Sequence, residues 1–116
     1  MVQMTLNISD GLAERLQPLG AWLPTVLELM LVGCKTVAAA TATEALEFLA
    51  HGPTPEEVLA YHASARAQQR LQRLLALNTA GLLSEDEQHE LDELQQIEHI
   101  IILLKAQLAR SPASEP

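Results

Sequence analysis

A mostly α-helical chain is the fold class this sequence predicts, opened by one short β-strand and closed by a long antiparallel helical hairpin. Three observations carry it. Leu, Ala, Glu and Gln dominate the composition while aromatic residues make up only 3%, so an aliphatic helical core is expected. Residues 2–9, "VQMTLNIS", alternate apolar and polar at the period of a half-buried strand. Two capping boxes, Thr54–Glu57 and Ser84–Glu87, open long stretches with helical apolar spacing. At 116 residues the chain is one domain of ordinary size. It divides into a strand–helix–helix segment at 1–52 that suits dimerisation, a helical hairpin at 53–110, and a disordered tail at 111–116, "SPASEP".

The opening strand places Val2, Met4, Leu6 and Ile8 on one face and Gln3, Thr5, Asn7 and Ser9 on the other. A lone strand leaves its backbone groups unpaired, and no second convincing strand follows. Pairing with the same strand of a second copy, or with an edge on another protein, is the remedy. Ser9 or Asp10 caps a short helix to about Leu16, closed by Pro18 and Gly20. A second helix runs from about Trp22, with Pro24 in its first turn and Gly33 at its end. Thr43 caps a third through Ala50, ending at Gly52, with the Ala-rich stretch before it left open. The helix starting at Thr54–Pro55 is expected to continue to about Asn78, and "NTAGLL" then makes the turn. The last helix runs from Ser84 to about Ala109, its first-turn acids Glu85, Asp86 and Glu87 suiting the positive end of the helix dipole.

A turn centred near Gly81 sets Arg73 opposite Glu90, Arg70 opposite Glu93 and Leu71 opposite Leu91, with Val58 and Tyr61 meeting Leu104 and Ile101. Arg66, Arg70 and Arg73 share one face and complement the acids. Seven of the chain's fifteen acidic residues fall between Glu85 and Glu98. The apolar run Ile100–Leu104 beyond them exceeds what one partner helix covers. Ile100, Ile102 and Leu103 therefore need the N-terminal helices or another chain. The candidate partner-holding residues are Ile97, Ile100, Ile101, Leu103 and Leu104, and the candidate dimer or DNA strand presents Gln3, Thr5 and Asn7.

A net charge of −8 repels nucleic acid as a whole. A strand followed by two short helices is nevertheless the outline of ribbon-helix-helix DNA binders, so a DNA-binding regulator stays open as an alternative. Against it, the first fifty residues hold only Arg15 and Lys35 as cations. Cys34 is the single cysteine, which forbids an internal disulfide, suits a reducing cytoplasm and reads as a buried or inert thiol. "MVQMTLNISD" has no basic start followed by an apolar core, so no secretory leader is read. Pro24 and Glu28 interrupt the apolar stretch 21–32, short of the roughly 20 residues of a membrane span.

No catalytic, cofactor or metal site emerges, and the reading is of a protein that is not an enzyme and carries no cofactor. "HELDE" at His89 lacks the second histidine of the H-E-x-x-H zinc pattern. Asp86 and His89 stand three apart as in di-metal bundles, but those repeat the motif on another helix. His51 and His62 lack the Ser, Cys or carboxylate set of a nucleophilic site. The five glycines are scattered, so there is no phosphate loop.

"TPEE", the "QRL" at Gln69–Leu71, "LLALNTAGLLSEDEQHEL" and "EHIIILLKA" together resemble a recurring group of small bacterial proteins, frequent in cyanobacteria, over about half of the chain. Those proteins look like antitoxin components of toxin–antitoxin pairs, partnered by small ribonuclease toxins. The resemblance implies an antitoxin-like protein whose partner is a ribonuclease-like toxin; it assigns no residue a role. A structural homodimer or accessory helical protein with no toxin partner is the other open reading.

Overall fold

A computed structural model describes residues 2–110; the expected tail at 111–116 lies outside them. Six α-helices follow one another: α1 (Asp10–Leu16), α2 (Leu23–Leu31), α3 (Ala39–Ala50), α4 (Pro55–Ala60), α5 (Ala65–Thr79) and α6 (Glu85–Arg110), with a 3₁₀ segment (Gln17–Trp22) between α1 and α2. The long C-terminal helix is present as expected. The N-terminal strand is not: among the described residues none belongs to a strand. Residues 2–9 are non-helical chain with no ladder, because a ladder needs a second strand and the other described residues offer none.

Local hydrogen bonding explains where most helices begin and end. The Ser9 hydroxyl accepts from Leu12 N at 3.2 Å and starts α1. Thr54 and Glu57 form the expected capping box at α4, and Ser84 and Glu87 form another at α6 with bonds of 3.0 and 3.2 Å. α5 ends in a Schellman pair: the amide of Leu82 donates to Leu77 O (2.9 Å) and that of Gly81 to Asn78 O (3.0 Å). Gly81 supplies the left-handed φ of 73° that this ending requires. α3 starts earlier than Thr43. The Thr36 hydroxyl takes the Ala38 amide (3.1 Å), and Ala38, Ala42, Ala45 and Leu49 form its buried face.

The single helix expected from Thr54 to Asn78 is broken at residues 61–64. Tyr61 turns extended (ψ 141°) and stacks its ring on Phe48 with centroids 4.4 Å apart. Its carbonyl accepts from the Lys105 ammonium, and Ser64 recaps the chain as α5 by accepting from Ala67 N at 3.2 Å. Stacking and a new cap thus replace the helical bonds lost at the break.

α6 packs against α2, α3, α4 and α5. Its inner stripe is Leu91, Leu94, Ile97 and Leu104, spaced three, three and seven residues apart along one helical face. Trp22, Val26 and Leu29 of the N-terminal half, the α3 alanines, Leu49, Val58 and Leu74 complete the core. Leu29, Leu49, Leu74 and Leu91 are essentially fully buried, each contributing about 1.5–3 kcal/mol relative to exposure. The Trp22 indole N–H donates to Pro53 O at 3.0 Å and ties the 3₁₀ segment to the α3–α4 turn. Among the described residues no helix is long and apolar enough to cross a membrane.

The register of the acid–arginine pairing also differs from expectation. Arg70 reaches Glu90 rather than Glu93, through Nε to Oε2 at 2.7 Å and a terminal N–H to Oε1 at 2.8 Å. Glu93 is occupied elsewhere, by the α2–α3 loop, so the pairing settles almost one helical turn away from the expected one.

Candidate functional site

Among the described residues, exposed apolar side chains gather on two surfaces. The first is N-terminal. Along residues 2–8 the apolar side chains are 90% (Val2), 82% (Met4), 65% (Leu6) and 43% (Ile8) exposed, and Gln3, Thr5 and Asn7 are exposed as well. No backbone hydrogen bond joins residues 2–8 to another described residue. α2 then buries Thr25, Val26 and Leu29 on one side and leaves Leu27, Met30 and Leu31 open on the other. Leu12 of α1 is open too, and α1 buries nothing. Residues 2–9 carry no charge and α2 only Glu28. A stretch apolar all round reads as a buried helix, so the open outer face of α2 was not legible in the sequence.

The second surface lies on α5 and α6. The candidate residues of the Ile/Leu run separate here. Ile97 and Leu104 are buried within the chain's own core. Ile100 and Ile101 are half-buried against the same core. Leu103 is exposed, and so is Ile102 beside it. The reason is angular: consecutive residues step about 100° around a helix, so five apolar residues in a row cannot all face one side.

Beside that run the 61–64 break opens a groove of about 440 Å³ between α5 and α6. Leu71, Leu94, Ile97 and Ile101 line it, with small side chains at Ala45, Ala63 and Ala67. Gln68 and Gln72 of α5 and Glu98 and Lys105 of α6 stand along its sides, with the exposed Leu75 and Ile102. The sequence contained one clue to this groove: the facing stretch 62–69 offers mostly Ala and Gln, too small or too polar to fill it.

The acidic half of α6 is used internally. Glu90 is buried and held by Arg70. Glu93 accepts from the Lys35 amide (2.8 Å), the Thr36 amide (3.2 Å) and the Thr36 hydroxyl (2.6 Å). Burial works against its charge, but the hydrogen bonds from Lys35, Thr36 and Cys34 outweigh that and hold its carboxyl below the usual carboxylate range. Burial, and then the Glu93 carboxylate, push the Cys34 thiol up, which makes it a poor nucleophile at neutral pH. Among the described residues no group of three or more His, Cys, Asp and Glu side chains converges as a metal site. What the described residues do offer is apolar and charged surface open to contact.

No protein-family model, curated protein or solved structure matches this chain.

Proposed function

We propose that this chain is a small acidic protein-interaction module of antitoxin-like type, assembled as a homodimer through its N-terminal arm and holding a partner protein through α5 and α6. The observation that supports it is the arm. A strand-patterned segment with exposed apolar residues and an unpaired backbone is stable in water only when a second strand completes it. The arm is uncharged within a chain of net charge −8, so it is the place where two copies meet with least repulsion. Antiparallel pairing about Thr5 sets Val2 opposite the second copy's Ile8 and Met4 opposite its Leu6, gathering the apolar side chains on one face. Leu27, Met30 and Leu31 of α2 supply an apolar surface on which that face can lie.

In this reading α5 and α6 act as an antiparallel hairpin. The Arg70–Glu90 pair near one end and the Tyr61–Lys105 contact at the other support that direction. The exposed acids of α6, Glu85, Asp86, Asp92 and Glu98 among them, suit a partner with a basic surface such as the substrate groove of a ribonuclease.

Light scattering on the purified chain tests the dimer: the expected mass is twice 12.6 kDa, falling to one copy in Leu6→Lys. Co-expression with the product of the adjacent gene tests the partner, and a stable 1:1 or 2:2 complex is expected. A monomeric wild type that forms no complex refutes the reading. A homodimer that engages no second protein would leave the structural-accessory reading. Retarded migration of its own promoter DNA, lost with salt and in Thr5→Ala or Asn7→Ala, would establish the DNA-binding reading instead.

A further inference from the structure

We infer that the α5–α6 groove is a seat for one amphipathic helix of a partner protein, with aliphatic side chains on one stripe and a base and an acid two turns apart beside it. The inference rests on the interaction-module reading and specifies the element of the partner that lies in this groove.

Shape comes first. The α6 wall from Leu94 to Lys105 is about 16 Å long, room for about three turns of a helix laid along it. The cavity is open along its side, and exposed Leu75 on the α5 wall and Ile102 on the α6 wall flank it. A small molecule lodged over Leu71 and Ile101 would leave both of these in water. A helix about 10 Å wide spans both walls and covers them. Small residues at Ala45, Ala63 and Ala67 leave depth for its aliphatic side chains.

Charge is the second argument. Glu98 and Lys105 stand seven residues apart on α6 and line the same groove, about 10 Å apart along the axis. Glu98 is exposed and makes no salt bridge to a described residue. The Lys105 ammonium binds a carbonyl, that of Tyr61, and no carboxylate among the described residues. A partner helix carrying one base and one acid two turns apart satisfies both. Uniformly basic or uniformly acidic helices satisfy one and oppose the other.

The test uses the full chain and three fluorescent peptides of about 18 residues, long enough to hold helix. All carry the same leucine stripe, flanked two turns apart by Lys and Glu, by Lys and Lys, or by Glu and Glu. Fluorescence anisotropy is expected to give the Lys/Glu peptide about two- to fivefold tighter binding than the others. Glu98→Arg is expected to move the preference to the Glu/Glu peptide. Ala67→Phe, which fills the groove, should weaken all three at least about tenfold. Gln72→Trp on the exposed rim is the second blocking variant should Ala67→Phe fail to fold. Absence of saturable binding overturns the inference, as do affinities indifferent to Glu98→Arg or to both blocking variants. A change of oligomeric mass on blocking the groove would assign it to a second copy and overturn it equally. Leu6→Lys is expected to leave peptide binding unchanged, so failure of the arm-mediated dimer and failure of the groove read out separately.

Discussion

Arg70→Ala isolates what the buried acid of α6 depends on. Glu90 is 5% exposed and both its oxygens are bonded by one guanidinium. Removing the partner of a buried charge costs about 3–5 kcal/mol when the pair is wholly enclosed. The Arg70 side chain is itself 36% exposed, so water replaces part of what it supplied and a loss of about 2–3 kcal/mol is expected. Unfolding entropy of about 2.1 cal/mol/K per residue, taken over the chain, gives about 0.24 kcal/mol/K, so Tm should fall by about 8–13 °C. Circular dichroism melts and urea titrations at one fixed protein concentration measure it, since any dimer makes Tm concentration-dependent. The double variant Arg70→Met with Glu90→Leu removes both charges while keeping volume, and should recover most of the loss. A single-variant loss below about 0.5 kcal/mol would make the pair an ordinary solvated bridge. A double variant as unstable as the single would place the effect in packing, and either result would show that Glu90 does not depend on Arg70 for its burial.

The pH dependence follows from Glu93. Its folded pKa lies below its unfolded value, so the stability it contributes is fully present above about pH 4.3, the ordinary Glu value, and is lost as pH falls through the folded pKa. Urea titrations between about pH 7 and 3 should show that loss. Glu93→Gln should lessen but not abolish it, because Glu87, bonded to Ser84, is lowered as well; an unchanged profile would count against the loop clamp. At Gly52 the φ of 66° is left-handed, and an added Cβ would lie 2.9 Å from Pro18 O. Gly52→Ala is expected to cost more than the about 1–2 kcal/mol of that φ alone, whereas Gly81→Ala, at φ 73° with nothing within 4 Å, should cost only the conformational part. Equal losses in the two variants would remove the contact with Pro18 from the account.

Much of the helix layout was readable from short spacings. Ser9 before α1, Thr54 with Glu57 and Ser84 with Glu87 all cap as their positions predict. Apart from Ser64, which caps α5, the break at Tyr61 had no such local mark. "VLAYHASARAQQ" is unbroken helix-forming sequence, and what interrupts it is a ring thirteen residues back, Phe48, and an ammonium on α6, Lys105. The candidate interface divided for a similar reason. A run of five apolar residues states that some must be covered but not which, and the choice fell to the packing of α2, α3 and α4 on one side of α6. That choice enclosed Ile97 and Leu104 and left Ile102 and Leu103 outside.

Residue order alone specified the helical class, the starts of α1, α2, α4 and α6, the glycine-marked ends of α2, α3 and α5, and a neutral alternating arm with no described strand to pair with. Those features depend on hydrogen bonds and steric limits acting within a few residues, which the order of side chains specifies directly. Long-range packing set the separation of α4 from α5, the meeting of Glu90 with Arg70 rather than Arg73, and the hold of Glu93 on the α2–α3 loop. Neighbouring registers of two packed helices present nearly the same apolar and charged residues, so local preference hardly separates them. The contacts that do separate them join residues some twenty to sixty positions apart, and they exist only once the whole core has closed.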